Sequence, residues 1–228
     1  TYNYVDNNFS KCYDSKYNNN YSIWRLIFNM ENKARTGISV RDMILISLFA
    51  ALTAIGAFIK IYNPINPTVP FTLQFLFCAY AGLLLGSKKG FYSQLLYVGI
   101  GLIGFPVFTK GGGIGYIFQP TFGYLIGFVI AGYVIGKLNE LFMSKDNTVS
   151  VLKMFMAALV GLVIVYTLGI AHMYFMVKLY KGVASFTLTA ALSAGFIPFI
   201  IPDITLSLLV ALTSKKIIPI IKRAGYTN

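Results

Sequence analysis

From Met43 onward the chain is a succession of apolar runs, several of them close to the roughly 20 residues that cross a bilayer. Over all 228 residues, 57% are hydrophobic, 11% are charged, and mean hydropathy is +0.69. A soluble domain of this length carries far more charge, so the pattern points to an all-α polytopic membrane protein. Proline, glycine and lysine clusters divide the runs. They predict six spans at about 43–61, 71–85, 91–104, 120–138, 151–177 and 203–217. Ser39 and Asp42 can both cap the first span, and Pro70 suits the first turn of the second. Residues 86–90, GSKKG, read as a tight basic turn, and 186–196 as a short amphipathic helix too punctuated to span. Pro198 and Pro202 are expected to break the chain before the last span.

A net charge of +12 in a soluble protein would suggest nucleic acid, but here the basic residues flank apolar runs and read as topology determinants. No nucleic-acid partner is expected; membrane lipid is. With six spans, one side collects Lys33, Arg35, Arg41, Lys88, Lys89, Lys137, Lys145, Lys153, Lys215, Lys216, Lys222 and Arg223. The other side has Lys60, Lys110, Lys178 and Lys181. The positive-inside rule then places both termini in the cytoplasm, an N-in/C-in arrangement in the cytoplasmic membrane. Residues 1–29, rich in Asn and Tyr and without apolar periodicity, read as a disordered or artefactual tail, and Met30 opens the 30–228 membrane domain.

Residues 104–127, GFPVFTKGGGIGYIFQPTFGYLIG, interrupt the apolar pattern with glycines, prolines and aromatics. Such a loop between two spans is either a connector or the wall of a pocket on the outer side. Glycine permits close backbone approach, which makes Gly112 and Gly113 candidates for contact with a ligand. Tyr116, Phe118 and Tyr124 can supply walls, and Gln119 a hydrogen bond. Gln74, one turn into the second span, can bond a ligand or a neighbouring helix. Asp203 opens the last span and is the one acidic residue outside the tail and the cytoplasmic segments. A carboxylate at membrane depth faces a cavity or a partner; Asp203 is equally suited to cap its helix. Ala50, Ala54 and Ala57 share a face of the first span, a small-residue stripe for bundle packing or for docking a partner.

His172 has no second His or Cys near it, so a metal site is not expected, and Cys12 and Cys78 form no ligand spacing. No cofactor is expected. Neither a nucleophile–base pair nor a Walker pattern is present, so the chain reads as no enzyme, and any ATP-driven step needs another subunit.

The blocks LFAALTAIGAF, VPFTLQ, AGLLLGSKKG, LLYVGIGLIGFPVF, GGGIGY, PTFGYLIGF and PFIIPD, in that order, resemble the BioY biotin transporters. The resemblance covers about residues 44–212. BioY proteins are substrate-binding S components of energy-coupling factor (ECF) transporters. The resemblance therefore implies a six-helix bundle of the S-component type, with a biotin site near the outer face. Its implied partners are a T subunit, docked on the AxxxA face of Ala50 and Ala54, and ATPase subunits, which alone use ATP. The family's acidic residue falls on Asp203, where it would bond the ureido N–H groups of biotin. The family's Asp-x-x-Lys pattern is broken here, because Leu206 occupies the lysine position. Lys110 is the proposed substitute for the biotin carboxylate, with Lys178 and Lys181 behind it. The alternative is an S component or stand-alone carrier for another small vitamin or a biotin precursor.

Overall fold

The computed structural model describes residues 39–61, 69–143 and 149–223. The tail at 1–29, Met30, Pro64, Pro67 and Lys145 lie outside the described residues. The chain divides into two units, Thr1–Met43 and Ile44–Asn228. In the first, Ser39 Oγ accepts the Asp42 N–H at 3.1 Å, and the Asp42 carboxylate accepts the Ser39 N–H at 3.3 Å. This reciprocal pair is a capping box, and it starts α1 (Val40–Phe58).

In the second unit, β1 (Lys60–Ile61) pairs antiparallel with β2 (Phe71–Thr72), with Lys60 opposite Thr72. The helices α2 (Gln74–Leu85), α3 (Ser87–Ile103), α4 (Phe122–Leu141), α5 (Val151–Phe175), α6 (Leu188–Gly195) and α7 (Ile200–Arg223) follow. A 3-10 turn, Ile114–Phe118, lies in the glycine-rich loop, and α5 runs on into a π turn, Met176–Tyr180. Among the described residues four helical stretches are long and apolar enough to cross a membrane: Val40–Phe58, Phe122–Leu141, Val151–Tyr180 and Ile200–Ile221. The other two expected spans are α2, with 12 residues, and α3, with 17. At 1.5 Å per residue α2 is only about 18 Å long, well short of a hydrocarbon core.

The bundle centres on α4, which packs most extensively on α5 and then on α3 and α2. Its seam with α5 is built from small and branched residues. Ala131 and Ile135 on α4, and Ala157 and Ala158 on α5, are fully buried. In lipid there is little hydrophobic drive between helices, so small side chains that let the backbones approach supply the packing. On α1, Ala50 is 4% exposed, Ala57 is fully buried and Ala54 is half-buried. The exposed face of α1 carries Ile44, Leu48, Ile55 and Phe58.

Three local expectations change. The basic turn at 86–90 is a single residue, Gly86 at φ 83°, and α3 begins at Ser87, not near 91. The reason is a cap supplied by another helix. Glu140 of α4 accepts the Ser87 N–H at 2.7 Å and the Ser87 hydroxyl at 2.8 Å through one carboxylate oxygen. A charge-assisted bond at a helix N-terminus satisfies an orphan donor and complements the dipole. Second, α7 begins at Ile200, so Pro202 sits in its first turn, where a missing N–H is harmless, and does not break the chain. Third, α7 continues through Pro219 to Arg223, past the expected end at 217. The amphipathic segment expected at 186–196 is α6, capped by the Thr187 hydroxyl on the Ala190 N–H at 3.2 Å.

Removing the cap, Glu140→Ala, is expected to destabilise the detergent-solubilised protein by about 1–3 kcal/mol, the scale of charged hydrogen bonds lost to a buried end. Lys137→Ala removes only the 3.8 Å ion pair to the same carboxylate, between side chains that are 50% and 33% exposed. It is expected to change stability by less than about 0.5 kcal/mol. Equal shifts in thermal unfolding of the two variants would contradict the assignment.

Candidate functional site

A cavity opens where β2 and the glycine-rich loop meet the ends of α2, α4, α6 and α7 and the middle of α5. It is narrow, about 60 Å³, and reaches about 580 Å³ of empty space when its open mouth is counted. Phe75, Leu125, Phe128, Val165 and Phe199 give it apolar walls, and Phe71 stacks on Phe199 at 6.2 Å and 23°. Gln74, Thr72, Thr109, Tyr116, Thr121, Tyr124, Tyr166 and Asp203 add polar atoms. An apolar cleft with a few placed polar groups is the usual form of a small-molecule site.

Asp203 is 8% exposed. Its backbone N–H already bonds the Phe199 carbonyl at 3.0 Å, so it stands inside the first turn of α7 and is not the cap. Its carboxylate Oδ2 accepts the Tyr166 hydroxyl of α5 at 2.5 Å. A carboxylate has acceptor capacity for further donors, so one tyrosine does not exhaust it. Tyr166 is held edge-on by Phe196 at 4.9 Å and by Tyr124 at 6.4 Å. Tyr124 in turn donates its hydroxyl to the Gly195 carbonyl at 3.0 Å. A Cβ on Gly195 would collide with that hydroxyl, so the glycine is what lets α6 close on Tyr124.

On the opposite wall Gln74 is 3% exposed. Its amide donates to the Tyr97 hydroxyl at 2.8 Å and accepts the Thr72 hydroxyl at 3.0 Å. Tyr97 passes its own proton to the Val107 carbonyl at 3.1 Å. The Tyr116 hydroxyl bonds Thr109 at 2.9 Å and Thr121 at 3.1 Å. The polar atoms of this wall are thus fixed by neighbours, and the arrangement can recognise a ligand without reorganising.

Four of the residues expected at a site, Gln74, Tyr116, Tyr124 and Asp203, come together at this cavity. Gly112, Gly113, Gln119 and Phe118 do not line it. The glycines fold the loop onto α3. A Cβ at Gly112 would strike the Phe105 carbonyl, and Gly113, at φ 100°, donates its N–H to the Gly101 carbonyl at 2.7 Å. Gln119 follows the 3-10 turn with its N–H on the Tyr116 carbonyl, and Phe118 stacks on Tyr180 at 4.8 Å. Lys110 is exposed at the tip of a two-residue turn closed by Phe108 and Gly111, beside Thr109, which does line the cavity. His172 packs its ring against Phe122 at 5.7 Å.

Tyr166, Thr121, Gly195 and Phe199 were not singled out in the sequence. Tyr166 carried a usable signal: a tyrosine midway in a 25-residue apolar helix needs a partner for its hydroxyl. The others owe their place to tertiary folding alone. Gly195→Ala is expected to displace Tyr124 and to lower thermal stability by about 1–3 kcal/mol, as overpacking does. An unchanged melting profile would show that α6 does not clasp Tyr124.

Three kinds of likeness to known proteins bear on this site. A profile of the BioY family matches residues 30–223. A protein of Lysinibacillus sphaericus named "Probable biotin transporter BioY" is 42% identical over 187 residues, covering 82% of this chain and 91% of that protein. The "Biotin transporter BioY" of Thermotoga maritima is 36% identical over 182 residues, covering 78% and 98%. The crystal structure of an S-component for biotin from an ECF-type ABC transporter superposes with a TM-score of 0.65. It is 24% identical, covers 78% of this chain and 90% of the other, and shares the fold.

Proposed function

The chain belongs to the BioY family, and from that premise we propose that it captures biotin as the substrate-specific S component of an ATP-driven ECF transporter. It is a multi-pass protein of the cell membrane. The observation that carries the proposal is the Asp203–Tyr166 pair at the wall of a narrow, otherwise apolar cavity.

Biotin has a flat apolar bicycle, a urea edge with two N–H donors and an anionic tail. The bicycle suits a slot between Phe75, Leu125, Phe128 and Phe199. The urea N–H groups suit Asp203, with Tyr166 fixing the carboxylate's orientation. Gln74, Tyr116 and Tyr124 complete the polar edge in this reading, and the anionic tail is left to the basic residues near Thr109, among them Lys110. The charge asymmetry of the loops supports an N-in/C-in bundle whose six membrane segments include the short α2 and α3. The cavity then opens outward, and a T subunit with ATPases completes the transporter on the cytoplasmic side. ATP acts on those partners only.

Titration of biotin into the purified full chain tests the reading. One-to-one binding is expected, and Asp203→Asn is expected to weaken it by about 1.5–3 kcal/mol, the worth of a charge-assisted hydrogen bond, or roughly 10- to 150-fold in Kd. A folded wild-type protein that ignores biotin would overturn the proposal, and equal affinity in Asp203→Asn would remove Asp203 from it.

A further inference from the structure

The last span lacks the lysine expected three residues after the acidic position; Leu206 stands there. Resting on the biotin reading above, we propose that Lys60 holds the carboxylate of the ligand at the mouth of the cavity. Two independent features of the fold bring Lys60 there. In the β1–β2 pair Lys60 lies directly opposite Thr72, a lining residue. Its ammonium donates to the Thr109 carbonyl at 2.9 Å, and Thr109 is a lining residue of the other rim. One side chain therefore spans both rims of the opening.

The chemistry suits an anion. A lysine ammonium is a cation with N–H donors, and its bond to the Thr109 carbonyl fixes it at the rim. Thr109 is itself held by the Tyr116 hydroxyl at 2.9 Å, so the carbonyl that positions Lys60 is anchored to the cavity wall. Lys110 follows Thr109 at the tip of the Phe108–Gly111 turn and adds charge to the same rim. Partial burial holds the Lys110 ammonium below the usual lysine pKa, and the charges of Lys181 and Lys60 push it the same way. Lys60 and Lys181 thus each lie within electrostatic reach of Lys110. Between Asp42 and Glu140, and between Asp146 and Asp203, the sequence contains no acidic residue, so the segments bearing these lysines are wholly basic. An arriving carboxylate relieves the repulsion, while a neutral tail does not.

Lys60 differs from Lys110 in one decisive respect. Both side chains are exposed, but the placement of Lys60 follows from a strand register and a hydrogen bond to a lining residue, whereas Lys110 belongs to the tip of a turn.

Binding of biotin and of its neutral primary amide, measured side by side by calorimetry on the full chain, tests this. Wild type is expected to prefer biotin, and the preference to fade as salt rises, since the mouth is partly exposed. Lys60→Gln is expected to weaken biotin about tenfold, the low end for a charged hydrogen bond near solvent, and to leave the amide unchanged. Lys60→Arg is expected to keep the preference. Retained amide binding also shows that Lys60→Gln is folded. Full preference for biotin in Lys60→Gln, or its loss only in Lys110→Gln, would overturn the assignment while leaving the biotin reading intact. A wild-type protein that binds neither compound would overturn both.

Discussion

A carboxylate in the first turn of a membrane helix must be partnered, and the rest of this site depends on how that is done. Asp203 on α7 accepts the Tyr166 hydroxyl of α5, which fixes these helices against each other where the bundle opens. Tyr166 is kept in place by two other rings, Phe196 and Tyr124, and Tyr124 is tied to α6 through the Gly195 carbonyl. Three helices and the turn between α6 and α7 are thereby locked around one charge. The same low-dielectric setting that makes an unpaired carboxylate expensive makes a paired one a strong recognition element for a ligand N–H.

The opposite side of the cavity is organised by neutral hydrogen bonds. Gln74, Tyr97 and the Val107 carbonyl form a relay that joins α2, α3 and the glycine-rich loop. Phe108, 1% exposed, sits between Tyr97 and Tyr116 and fastens the loop to the bundle. The polar atoms of both walls are held by neighbours, and Phe71 of β2 stacks on Phe199 of the turn before α7 beside them.

The sequence made the membrane class, the apolar segments and the outlying position of Asp203 legible, because those rest on composition, run length and one misplaced charge. Gln74, Tyr116 and Tyr124 were visible as polar atoms in apolar surroundings. Legibility ended where function depends on non-local pairing. Gly112 and Gly113 read as ligand contacts; in the structure they lay the loop against Phe105 and Gly101, a contact that no local pattern encodes. The early start of α3 escaped because its cap, Glu140, comes from another helix 53 residues away. The Ala50–Ala57 stripe was ambiguous in principle, since small residues serve bundle packing and partner docking alike; Ala50 and Ala57 are buried and Ala54 is half-buried.

A structure of the protein determined with biotin bound is the decisive experiment. The bicycle is expected between Phe75, Leu125, Phe128 and Phe199, with a urea nitrogen within hydrogen-bond distance of the Asp203 carboxylate and the Tyr166 bond retained. Biotin lodged outside these walls, or reversed with its tail against Asp203, would contradict it.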